Sequence, residues 1–129
     1  MNCALAYQIP VPLLKCITKA YILTYNFRME IFDLRITVDS ISGRSVCGLK
    51  PGDYFEVTNS AELRIPNNKH FCMYAIASVL PLLPAKQRKM AADDWLEQDS
   101  LVACPDPEEK MIMKIERIRS VNLKASDLT

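Results

Sequence analysis

The chain has 129 residues, half of them hydrophobic and 24% charged, which suits one globular domain with a sizeable core and excludes dominant disorder. Its 16 basic and 15 acidic residues leave a net charge of +1, so no long-range field steers nucleic acid or anionic lipid to it. Five cysteines in a chain without a secretory pattern point to a reducing compartment, where thiols stay free, bind metal or react.

The apolar stretch from Ile9 to Phe27 is broken by Pro10, Pro12, Lys15 and Lys19, which suits neither a cleaved leader nor a bilayer span, so the expectation is a soluble, cytoplasmic protein. Leu13, Ile17, Ala20, Tyr21 and Thr24 fall at helical spacing behind two prolines. Residues 1–28 are therefore expected to be a helical N-terminal extension, either laid on the domain or translated ahead of an internal start at Met29. Cys3 and Cys16 belong to this segment and carry no motif.

From Glu30 to Ser40 the chain alternates, with Phe32, Leu34, Ile36 and Val38 on one face and Asp33, Arg35, Thr37 and Asp39 on the other, which predicts a strand. Lys50-Pro51-Gly52-Asp53 predicts a type II turn, since proline presets φ at the second position and glycine supplies the positive φ at the third. Tyr54–Thr58 follows as a second strand, and Leu63–Ile65 as a short third one before the breaker Pro66-Asn67-Asn68. Phe71–Leu83 has helical spacing in Phe71, Ala75, Ile76, Val79, Leu82 and Leu83, with Asn67 or Asn68 as N-cap and an end or kink near Pro81. Lys86–Lys89 is expected on a solvated face, Trp95 and Leu96 as anchors to the core, and Leu101–Ala103 as another short strand. Cys104-Pro105-Asp106-Pro107 reads as a rigid turn, Met111–Ile118 as the last strand, and residues 120–129 as a polar, frayed tail. The sum is an α+β fold: one domain over 29–119, a mainly antiparallel sheet with one principal buried helix. No Gly-rich phosphate loop or repeat is present.

Three cysteine-bearing stretches together resemble a family of small, uncharacterised prokaryotic proteins. The residues that carry the resemblance are Cys47 with Lys50, Gly52, Asp53 and Phe55, then Phe71-Cys72 with Ala75 and Pro81, then Trp95, then Cys104-Pro105-Asp106-Pro107 with Ile115, Arg117 and Ile118. Cys47-Gly48 and Met90-Ala91-Ala92 depart from the pattern. The resemblance implies an architecture over roughly Glu30 to Ile118 and supplies no activity.

The chemistry open to these residues falls into three classes. If the helix begins near Asn68, Cys72 lies in its first turn, where free N–H groups and the macrodipole favour a thiolate. Cys47, Cys72 and Cys104, with His70 as fourth donor, would then suit zinc or another thiophilic metal, although no CxxC pair supports it. Alternatively Cys72 is a nucleophile assisted by His70 or Asp53. In the third class the cysteines are structural, free cysteine being among the most buried residue types, and the domain is non-catalytic, binding a protein partner or a small molecule.

Overall fold

The computed structural model describes residues 28–128, so the helix expected over 13–27, with Cys3 and Cys16, lies outside the described residues. Residues Glu30–Leu123 form one compact unit, and the described residues 28–29 and 124–128 fall outside it. The latter hold a 3₁₀ turn at Ala125–Asp127, which Lys124 N–H closes by donating to Asp127 Oδ2.

The compact unit is built on a sheet of five strands, β1 (Met29–Ile41), β2 (Tyr54–Thr58), β3 (Glu62–Arg64), β4 (Leu101–Ala103) and β5 (Met111–Leu123), in spatial order β3-β2-β1-β5-β4. β1/β2, β2/β3 and β4/β5 pair antiparallel. β1 and β5 run antiparallel as well, since Glu30 meets Ser120, Asp33 meets Arg119 and Gly43 meets Glu109.

The register explains which face is buried. Leu34 sits opposite Val57 and Ile36 opposite Phe55, and these four residues with Val38, Met111, Met113 and Ile115 form the sheet's contribution to the core. On the other face Arg35 pairs with its cross-strand partner Glu56 and lies over the Tyr54 ring. Phe55 also meets Phe71 edge-on at 4.8 Å between ring centroids, the geometry that ring quadrupoles favour.

The apolar face is covered by a helical run made of α1 (Met73–Val79), a 3₁₀ turn (Leu80–Leu82) and α2 (Leu83–Lys86). Ala75, Val79 and Leu83 point into the core. Pro81 does not end the run: it lacks the N–H an α-helical hydrogen bond needs, so the chain tightens into a 3₁₀ turn and resumes with Pro84 near the start of α2. A last short helix, α3 (Trp95–Gln98), is capped by Asp94, whose Oδ1 accepts from Leu96 N–H at 2.9 Å.

Several expectations are corrected. The helix starts at Met73 and its N-cap is Cys72, because Pro66–Asn68 forms a separate 3₁₀ turn with Asn67 and Asn68 at positive φ. Trp95 is 65% exposed and anchors nothing in the core. Lys86 is buried instead of solvated, its ammonium donating to the carbonyls of Leu96 and Asp99, and burial pulls its pKa down. Asp33, on the face expected to be polar and open, is fully buried and held by Arg119 and by Asn59 N–H. That contact, with Glu30–Ser120, keeps β5 in the sheet as far as Leu123, so the strand outruns its expected end at Ile118. Phe32 and Ile76 are only half buried and pack against the core's edge.

Candidate functional site: a cysteine-lined pocket

Cys47 lies in the loop between β1 and β2, and an interaction far along the chain shapes that loop. Just past β1, Gly43 N–H donates to Glu109 O at 2.9 Å and Arg44 N–H to Glu108 O at 3.1 Å. The approach is so close that a Cβ on Gly43 would stand 1.8 Å from Glu108 O. With its backbone pinned there, Glu109 sends a fully buried carboxyl group under the loop. Its Oε1 accepts from Val46 N–H at 2.8 Å and Cys47 N–H at 3.0 Å, and its Oε2 faces Cys104 Sγ at 3.8 Å. Ser45 Oγ closes the loop by donating to Leu49 O.

Cys72 arrives from the helix. As N-cap it has extended φ/ψ, and its carbonyl accepts from Ile76 N–H at 3.0 Å. Cys104 arrives from the end of β4, where its N–H donates to Met111 O at 2.9 Å. The Pro105-Asp106-Pro107 turn behind it is fixed by Asp106 Oδ1 accepting from Glu108 N–H at 2.8 Å.

The thiols influence one another's titration. Cys47 is pushed up to about 11, first by its side-chain hydrogen bond with Cys72, then by burial and by the charges of Cys72, Glu109 and Cys104. Burial also raises Cys104, with Cys72 and Glu109 adding to it against an opposing hydrogen bond from the Asp106 backbone. None of the three forms a disulfide, and Cys72 and Cys104 are buried. Over them opens a pocket of about 340 Å³ lined by Val46, Cys47, Cys72, Tyr74, Pro105 and Asp106. At its mouth Val46 is 47% and Tyr74 66% exposed.

No protein-family model matches this chain. No curated protein and no solved structure gives a significant match either. The resemblance drawn from the three cysteine stretches therefore has those residues alone behind it.

The other site residues expected from the sequence lie elsewhere. His70 and Asp53 line a separate hollow of about 230 Å³ with Gly48, Leu49, Lys50 and Lys69. His70 Nε2 donates to Cys47 O at 2.7 Å; a carbonyl can only accept, so that nitrogen carries the proton and offers no lone pair to a metal. Asp53 is committed on both oxygens, Oδ1 to Lys69 Nζ at 2.6 Å and Oδ2 to Lys50 N–H at 2.9 Å. Lys69 above all holds its carboxyl below the ordinary range, which makes it a weak base for a thiol. Among the described residues no group of three or more His, Cys, Asp or Glu side chains is arranged to hold a metal ion.

The residue that sequence reasoning missed is Glu109. An acidic pair such as Glu108-Glu109 ahead of a strand reads as solvent-facing, and no motif marks one member as buried. The one available signal was its position five residues after Cys104, across the double-proline turn.

Proposed function

We propose that this is a small cytoplasmic accessory protein whose working site is the cysteine-lined pocket, used to bind a ligand and not to catalyse. The observation that carries the reading is one largely apolar pocket lined by Cys47 and Cys72 from two separate elements and by Pro105 and Asp106, the residues that follow Cys104. A pocket that is mostly apolar with a few fixed polar groups is the usual form of a small-molecule site. The thiol chemistry agrees: a nucleophilic Cys72 needs an adjacent base, whereas His70 and Asp53 line a different hollow from the Cys72 pocket and Asp53 is bound on both oxygens. Among the described residues no helix is long and apolar enough to cross a membrane.

Thiolate metal binding is the second reading, resting on the mutual influence of Cys47, Cys72 and Cys104, although among the described residues no three such side chains are arranged to hold a metal ion. A thiophilic cation displaces thiol protons outright and so can override raised pKa values. Zinc would need a fourth donor from outside the cluster.

Two measurements on the reduced full-length protein separate these. Alkylation of Cys47 by iodoacetamide at neutral pH should be at least about tenfold slower than for a free cysteine, once the higher intrinsic nucleophilicity of a high-pKa thiolate is allowed for. Rapid, selective alkylation would replace the binding reading with an enzyme nucleophile. Cadmium titration followed by thiolate–metal absorption should saturate at one ion per chain if the second reading holds, and show no saturable uptake if the pocket takes only uncharged ligands.

A further inference from the structure

β3 is the outermost strand on its side of the sheet, and among the described residues no strand lies beyond it. The hydrogen-bond parity of the sheet shows which groups that edge leaves open. Val38 N–H donates to Asp53 O at 2.8 Å, so in β2 the odd-numbered residues bond β1 and the even-numbered ones, Glu56 and Thr58, bond β3. Their partners in register are Arg64 and Glu62. Leu63, between those two, therefore turns its own N–H and C=O away from β2 and out of the sheet, as a template for another strand.

The side chains at this edge match a copy of themselves. Leu63 lies opposite Val57, on the face that the helical run covers, and is 43% exposed. It walls a hollow of about 210 Å³ together with Val57, Leu80, Leu83 and Pro84, and Leu80 is exposed as well. On the opposite face the register aligns Arg35, Glu56 and Arg64 across β1, β2 and β3, a row that alternates in charge and ends at the edge on an exposed cation. An anion continues such a row. When the stretch Glu62-Leu63-Arg64 is turned about a two-fold axis through Leu63, it supplies that anion. Glu62 of the second copy then falls opposite Arg64, and its Arg64 opposite Glu62. The two Leu63 residues face each other and exchange both N–H···O=C bonds.

We propose that β3 is a self-pairing edge that joins two copies of this chain, antiparallel about Leu63, into one continuous sheet. The Glu62–Arg64 ion pair within each strand leaves further acceptor and donor positions on both groups for the second copy. So short an edge buries little surface, which places the association among small, transient interfaces. This surface shares no lining residue with the cysteine-lined pocket, and its pairing does not depend on what that pocket binds.

The test is sedimentation equilibrium of the full chain, kept reduced so that no disulfide links the copies. Reversible dimers should appear as the concentration rises to about 1 mM, where weak contacts become populated. Glu62→Arg and Arg64→Glu should each weaken the dimer about tenfold, because two attractive cross-strand pairs become repulsive. Both side chains are exposed, so each variant should keep the circular dichroism of the unaltered chain. An equimolar mixture of the two variants brings opposite charges face to face again and should associate like the unaltered protein. The double variant Glu62→Arg/Arg64→Glu should do the same. The Leu63 amide should also exchange its hydrogen more slowly in concentrated than in dilute protein. A chain that stays monomeric throughout this range overturns the proposal, as do dimers indifferent to both single variants. A mixture that associates no better than either variant alone, or a Leu63 exchange rate that ignores concentration, overturns it equally.

Discussion

Glu109→Ala should both destabilise the protein and loosen its site. The carboxyl group is fully buried, and its Oε1 is the shared acceptor for Val46 N–H and Cys47 N–H. Truncation leaves both donors without a partner, each costing about 1–3 kcal/mol when water cannot replace it. Val46 and Cys47 are partly open to solvent, which lets water recover some of that, so the expected total is about 2–4 kcal/mol. For a unit the size of Glu30–Leu123 this lowers Tm by about 10–20 °C. Glu109→Gln keeps an acceptor oxygen for both N–H groups and should cost about half as much. Urea unfolding followed by far-UV circular dichroism gives the stabilities, and the alkylation rate of Cys47 reports on the loop, which should open and react faster in Glu109→Ala. A loss within about 0.5 kcal/mol, the range of ordinary surface substitutions, with an unchanged Cys47 rate would refute the claim that Glu109 holds the loop.

Gly43→Ala should be among the most damaging small changes, because its Cβ would stand 1.8 Å from the Glu108 carbonyl oxygen; relief means moving the backbone that carries Glu109, and a stable protein with an unshifted Glu109 amide resonance would contradict it. Ile36→Ala and Val79→Ala, both fully buried across the sheet–helix interface, should each cost about 2–4 kcal/mol in urea denaturation. Trp95→Ala should cost about 0.5 kcal/mol or less, as the ring is 65% exposed; a loss of several kcal/mol would restore the tryptophan to the core. Asp53 has a folded-state pKa below its unfolded value, so its contribution is complete above the unfolded carboxylate range, about pH 4, and is lost as pH falls through the folded value. Asp53→Asn should therefore flatten the acid limb of the stability curve, and an identical limb in both proteins would rule out the Lys69 contact as its source.

Local pattern and tertiary contact each decided different parts of this molecule. Period-two alternation was enough to find β1 and β5, since one face of a half-buried strand must be apolar whatever it pairs with, and β2 was found from the turn before it. The Pro51-Gly52 turn was equally legible: Gly52 has φ of 91°, and Asp53 N–H closes the turn onto Lys50 O. Helical spacing likewise found the run that contributes Ala75, Val79 and Leu83 to the core. The reach of β5 to Leu123, by contrast, depends on Arg119 meeting a buried Asp33 86 residues away, and no local rule separates that arginine from a solvated one. Lys86 and Trp95 exchanged their expected environments for the same reason, as burial of a long amphipathic side chain depends on which carbonyls or surfaces the fold brings to it. The site divides along the same line. Its three cysteines could be named from their turns and the helix start, but the pocket that Cys47 and Cys72 share, and the Glu109 carboxyl that joins the Cys47 loop to Cys104, exist only once β1 and β5 lie side by side and bring residues 62 positions apart into hydrogen-bond contact.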